Sequence, residues 1–383
     1  MTDRTPSEEL WLRVTASLNR DRYRLAVRAA AGYPPGLRLA GTPLLAPPAW
    51  RLPAPVPLDS VRLEFRPDAP RPEVPDLAAL APYALPERAD GTRYQRYSDV
   101  VAALAAPAVF ENRPAYRLVE ADLASASGQP GPRLALGRGR FFDGADASGA
   151  AGFEYAAAEC GVAPGHRPYR AALGGPAGLA RRSATMATSA LTLRYDQLAG
   201  TATFPLHHRH PGKVSHAGGL YQVIPVGVFQ PSGEAPWNEA NDFSLWRGLL
   251  REYAEELLGA DEDHGSERAP IDYAAWPMAK AMTDGLADGR IAAWCVGLGA
   301  DPLTFAVDLL AVVVIDAPLY DDLFGDLVDV NAEGRVIEPR PFDQPSVSEL
   351  MAGTPLQAAA AALLTLALAH RDKLQSRPAR DSG

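Results

Sequence analysis

Cysteine is nearly missing from this chain of 383 residues: only Cys160 and Cys295 occur, neither in a CxxC nor beside other ligand-type residues. That excludes a disulfide framework and a cysteine-rich zinc site, and it suits a reducing compartment. Lysine is almost as scarce, confined to Lys213, Lys280 and Lys373, and the arginine excess reads as a coding bias. An excess of positive charge is lacking too. With a net charge of −9, a broad nucleic-acid-binding face is not expected, because a phosphate backbone wants a basic surface. The start, MTDRTPSEELWLRV, is acidic and has no signal-peptide apolar core. The longest apolar run near the end, PLQAAAAALLTLALAH, is shorter than the roughly 20 residues a bilayer needs. A soluble, cytoplasmic protein with no membrane partner is the expectation. No GxSxG elbow, GxGxxG turn or Walker lysine occurs. GRGRFFDGAD carries glycines and arginines in neither phosphate-loop order and reads as a solvated strand end.

What is present is an ordinary globular composition, with 47% hydrophobic and 22% charged residues, so wholesale disorder is not expected. PSEELWLRVTASLNRDRYRLAVRAAAG reads as one or two amphipathic helices opened by a Ser7 N-cap. From Tyr33 to Pro86 prolines crowd the chain, which rules out a helical bundle and leaves irregular backbone with short strands such as SVRLEF. YSDVVAALAAP and ASGAAGFEYAAAECG read as helices, the second ended by Gly161, and AYRLVEADL and PRLALGRGRFF as strands. Residues 1–180 thus form a mixed α+β, Pro-rich region of undefined role.

After residue 185 the pattern sharpens. ALTLRYDQLAGTATFPLHHRH reads as a hairpin and GGLYQVIPVGVFQP as a further β run. SLWRGLLREYAEELLGA is a helix, RIAAWCVGLG and LTFAVDLLAVVVID are strands, and the second is apolar enough to be central. GRVIEPRPF adds a strand, TPLQAAAAALLTLALAH a closing helix, and residues 371–383 a loose tail. Four of the seven histidines gather at His207, His208, His210 and His216. His208 and His210 share a strand face, a spacing that suits zinc, but nothing nearby completes a tetrahedral set, and a strand edge or loop is the better reading.

The helix poses the main question. At about 100° per residue, Trp246, Leu250, Tyr253 and Leu257 make an apolar stripe. Glu252, Glu255 and Glu256 cluster on another face, and Arg251 is within reach of Glu255 one turn on. Three carboxylates so close repel one another. They read either as an acidic, solvated surface or as oxygen ligands for a hard cation, Mg²⁺ or Mn²⁺.

The segment REYAEE resembles the R-E-apolar-any-E-E core of the Nudix box. Upstream, GLYQVIPVGVFQPSGE resembles the strand and loop that carry the front of that box, with Gly227 as its glycine and Glu234 as its first glutamate. Six residues separate those two where the pattern has five, and sixteen separate Glu234 from Arg251 where it has seven, so APWNEANDF looks like an inserted loop. The closing glycine falls one place late, at Gly259. The resemblance covers residues 185–370 and implies a Nudix-like α/β/α sandwich.

Carried over by position, it implies that Glu252, Glu255 and Glu256, with Glu234 as a further ligand, hold the divalent metal, and that Arg251 orients the glutamates. One of the glutamates, or a carboxylate from a later loop, would deprotonate the attacking water. Glu239 and Asp242 would substitute for a displaced Glu234, and Glu338 is a candidate base from a distant loop. Arg209 and Lys213 flank the strand–loop and are candidates for substrate phosphates. The implied activity is divalent-metal-dependent hydrolysis of a nucleoside-diphosphate-linked small molecule. The alternatives are a non-catalytic nucleotide-ligand sensor and a scaffold, with a homo-oligomer left open in each case.

Overall fold

The computed structural model describes residues 4–125, 131–209, 218–260, 264–325 and 334–375. Lys213, His210 and His216 lie outside them.

Among the described residues, strands β1 (Arg51–Pro57), β2 (Arg62–Phe65), β3 (Pro114–Asp122), β4 (Arg133–Arg140), β5 (Ala184–Asp196), β6 (Thr201–Arg209), β7 (Tyr221–Gln222), β8 (Val226–Val228), β9 (Ile291–Ala300), β10 (Val307–Asp316) and β11 (Gly334–Pro341) join one mixed sheet. Its main path runs β1-β9-β10-β5-β3-β4-β2. The branch point is β5. Along one edge β10 runs parallel to it from Met186 to Tyr195. Along the other edge β3, β8 and β6 take turns, at Ala184–Thr185, Ala187–Ser189 and Arg194–Asp196. Splitting one edge among three partners curls the sheet.

Hydrophobic pattern explains the centre. Every residue of β9 and all but the last of β10 are buried, so both faces of the sheet are covered there, as continuous apolar runs predict. Prolines explain an edge. β1 carries Pro53, Pro55 and Pro57 and ends the sheet path, where a missing N–H breaks no ladder. Strands from before residue 180 pair directly with later ones, β1 with β9 and β3 with β5.

Helices cover this frame. Ala358–Ala369 is apolar all round and packs on β5, β9 and β10, with the side chains from Ala358 to Leu364 buried. Leu245–Leu258 packs on β5 and β8, and Pro277–Asp288 on β9. A second apolar cluster joins the N-terminal helices to the helix Phe141–Glu159 through Trp11, Tyr97 and Phe153, and Leu303 and Phe305 from the β9–β10 loop reach into it.

Several details differ from the sequence reading. The first helix, Pro6–Arg20, is capped by Thr5, which closes a capping box with Glu8, while Ser7 bonds the backbone of Glu87. The helix expected over ASGAAGFEYAAAECG begins earlier, at Phe141, directly after β4. Phe141 and Phe142 pack on Phe110 there, and at Gly144 a side chain would collide with Thr185, 2.2 Å from its hydroxyl oxygen. The run GGLYQVIPVGVFQP breaks into the two short strands β7 and β8, and the APWNEANDF segment contains a helical turn and a half, Pro236–Asn241. Of the tail expected over residues 371–383, Arg371–Gln375 is helical, and residues 376–383 lie outside the described residues.

Candidate functional site

The helix Leu245–Leu258 is delimited by local chemistry. Ser244 caps its start by accepting from the Arg247 amide, and Gly259, at φ +69°, ends it in a left-handed turn that returns its N–H to Ala254. Leu249, Leu250, Tyr253 and Leu257 are buried, and the Tyr253 hydroxyl lies 2.7 Å from that of Thr192 on β5. Trp246 is only half-buried, its indole donating to Thr283, so the buried stripe is shifted toward Leu249.

Arg251 does not turn to Glu255. Its guanidinium is 4% exposed and donates to the Tyr273 hydroxyl at 2.7 Å and to the Gln230 carbonyl at 2.6 Å, with Asp242 at 3.3 Å. Asp242 is fully buried and also accepts from Tyr273 at 2.8 Å and from the amide and hydroxyl of Ser232. Burial works against the Arg251 charge, but Tyr273 and Asp242 outweigh it and hold its pKa above the usual guanidinium value. Burial raises the Tyr273 phenol as well. A buried pair of this kind persists only when the remaining donors and acceptors are satisfied, as they are here. The knot locks the helix to the segment after β8 and to the loop carrying Tyr273.

The three glutamates occupy three surroundings. Glu252 is half-buried, and its carboxylate lies on the backbone of β8: a Cβ on Gly227 would fall 1.8 Å from the carboxylate carbon. Only glycine leaves that space. Glu255 is 19% exposed and lies 3.1 Å from His264 Nε2. His264 has φ +46°, and its ring leans on Trp276 at 4.9 Å. Glu256 is buried at 5% exposure. None of the three stands on a fully solvated face. Equally, among the described residues no three His, Cys, Asp or Glu side chains form a group that could hold a metal ion.

Compared with the models of known protein families and with curated proteins, this chain matches none.

The other sequence-predicted residues are dispersed. Glu234 is 58% exposed and pairs with Arg140 at 2.5 Å, at the end of β4. Glu239 receives Arg138, and Asp242 belongs to Arg251, so the three acids of the stretched segment each have an arginine. The reason is tertiary: that segment crosses the end of β4, whose GRGR sequence supplies two of those arginines. Glu338 is exposed on β11, beside the register break that follows Ile337. Arg209 ends β6 and is 9% exposed. His207 is fully buried, whereas His208 points the other way and stacks on Tyr221 at 4.5 Å.

Tyr273 and His264 escaped the sequence reading. No local pattern marks Tyr273, which meets Arg251 only through the fold. His264 sits in DEDHGSE, where one histidine among acids was the available signal.

Proposed function

We propose that the carboxylate helix and β8 belong to a Nudix-like sandwich that binds a divalent cation and hydrolyses a nucleoside-diphosphate-linked small molecule. The observation that carries this reading is the Glu252 carboxylate laid on Gly227, with Glu255 and Glu256 one turn on, the first half-buried and the second buried. A fully solvated acidic face needs no such withdrawal. The donor set is all oxygen, which fits Mg²⁺ or Mn²⁺ better than softer metals. Glu252, Glu255 and Glu256 would hold the ion by closing on it from their present positions, in which they do not yet form a three-ligand group. When bound, it supplies charge neutralisation for a pyrophosphate and acidifies water. Arg251 acts as a positioning residue through Asp242, Tyr273 and Gln230. It fixes the turn of helix on which Glu252 and Glu255 stand.

The test measures Mn²⁺ binding by the full chain, wild type against Glu255→Gln and Glu256→Gln, beside phosphate release from a panel of nucleoside diphosphate derivatives. The reading expects saturable Mn²⁺ binding weakened at least about tenfold by either change, as loss of one charged ligand implies, and wild-type turnover that both variants lose. No Mn²⁺ binding by wild type would sink it.

A second reading, a sensor that binds such a ligand without cleaving it, is favoured by the arginine partners of Glu234, Glu239 and Asp242. They leave the helix without a carboxylate from the box's front half. Metal-dependent ligand binding with no product from any derivative would decide for it.

A further inference from the structure

A cavity lies elsewhere among the described residues, and its walls come from segments far apart in sequence, residues 57–63 on one side and 244–246 with 286–293 on the other. It has a volume of about 810 Å³ and is walled by Leu58, Val61 and Leu63 on one side and by Leu245, Leu286 and Ile291 on the other. That is within the range of small-molecule sites, roughly 300–1,000 Å³. Its size follows from sequence. Ala287, Gly289, Ala292 and Ala293 stand where larger side chains would fill the space. The half-buried Trp246 adds an aromatic surface. The charged groups on the lining are both carboxylates, Asp59 and Asp288, and both are exposed at the surface. Arg290 covers Asp288 at 2.7 Å, so among the described residues the negative charge on the lining that has no ion-pair partner is that of Asp59.

We propose that this cavity binds a small molecule with an apolar body and a cationic amine. Apolar walls reward burial of the body, and Asp59, with an aromatic face nearby, favours a positive head group over a negative one. The site is separate from the carboxylate cluster and does not depend on the activity proposed there. It touches that helix only at its first residues, Ser244, Leu245 and Trp246.

The experiment titrates the full chain by calorimetry with octylamine, octan-1-ol and octanoate, which share a tail and differ in head charge. Octylamine is expected to saturate one site per chain and to bind at least about tenfold more tightly than octanoate, the alcohol falling between. Asp59→Asn, at an exposed position that leaves the core intact, is expected to shrink the amine-to-octanoate ratio about threefold or more. Ala287→Trp, on the cavity wall, is expected to weaken all three ligands. Equal affinity for amine and octanoate, or an Asp59→Asn protein with the wild-type ratio, overturns the choice of ligand. An Ala287→Trp protein that melts like wild type and still binds octylamine normally overturns the site.

Discussion

Asp242 and Asp308 are both withdrawn from water, yet one faces a guanidinium and the other a hydroxyl. Beside the carboxylate helix, Asp242 sits against Arg251 and receives Tyr273 and Ser232. In the middle of the sheet, Asp308 on β10 accepts from Ser189 at 2.9 Å and has Asp301 as its charged neighbour. Burial pushes the Asp308 carboxyl up to about 7, against the Ser189 hydrogen bond and with help from Asp301. An interior acid without a cation takes a proton instead. The glutamate trio lies between these extremes, partly buried and adjoining the helix turn where Arg251 is already committed to Asp242.

Removing the cation from the first pair gives the largest effect. Arg251→Met leaves Asp242 buried without a counter-charge, and denaturant unfolding is expected to show a loss of about 3–5 kcal/mol. An unchanged midpoint would mean that the pair is not the clamp described.

Titrating the second acid comes next. Its folded-state value lies above the ordinary 3.8, so its contribution is complete below that value and disappears as pH rises through about 7. The unfolded chain gives up this proton first. Stability should therefore fall between about pH 4 and 7 by something on the order of 4 kcal/mol, and Asp308→Asn should flatten that part of the profile. A slope unaltered in the variant would reassign it to other groups.

Tyr273→Phe keeps both charges of the first pair but deletes the hydroxyl between them. A cost of about 1–3 kcal/mol is expected in thermal unfolding, less than for Arg251→Met. Gly227→Ala tests the trio by forcing the Glu252 carboxylate off β8. Its expected mark is a drop in Mn²⁺ affinity of about tenfold with folding retained, and equal affinity would detach Glu252 from the cation site. The smallest effect belongs to the surface. Arg140→Ala breaks the exposed pair with Glu234 and the guanidinium's hydrogen bonding to the Asn112 carbonyl, and should change stability by no more than about 1 kcal/mol.

Much of the frame was legible along the chain. The run LTFAVDLLAVVVID reads as a central strand, and all but its last β10 residue are buried between β9 and β5. The hairpin in ALTLRYDQLAGTATF pairs Asp196 with Thr201 as the alternation implies. The break of GGLYQVIPVGVFQP was not legible, because Pro225 and the shared edge of β5 interrupt a run whose composition is uniformly β-like. Helices such as Pro277–Asp288, Ala317–Phe324 and Gln344–Gly353 also escaped, being short and set among strand-like or polar residues.

At the site, helix periodicity alone put Glu255 and Glu256 one turn from Glu252, since side chains three and four residues apart lie on the same face of a helix. Which acid keeps a partner was decided only by folding. Arg140 and Arg138 claim Glu234 and Glu239 because β4 ends beside the stretched segment, and Asp242 claims Arg251 because two distant loops close over the helix. Local spacing governs which groups are neighbours in one element. Burial and charge compensation, which depend on what the rest of the chain brings alongside, govern what those groups are free to bind.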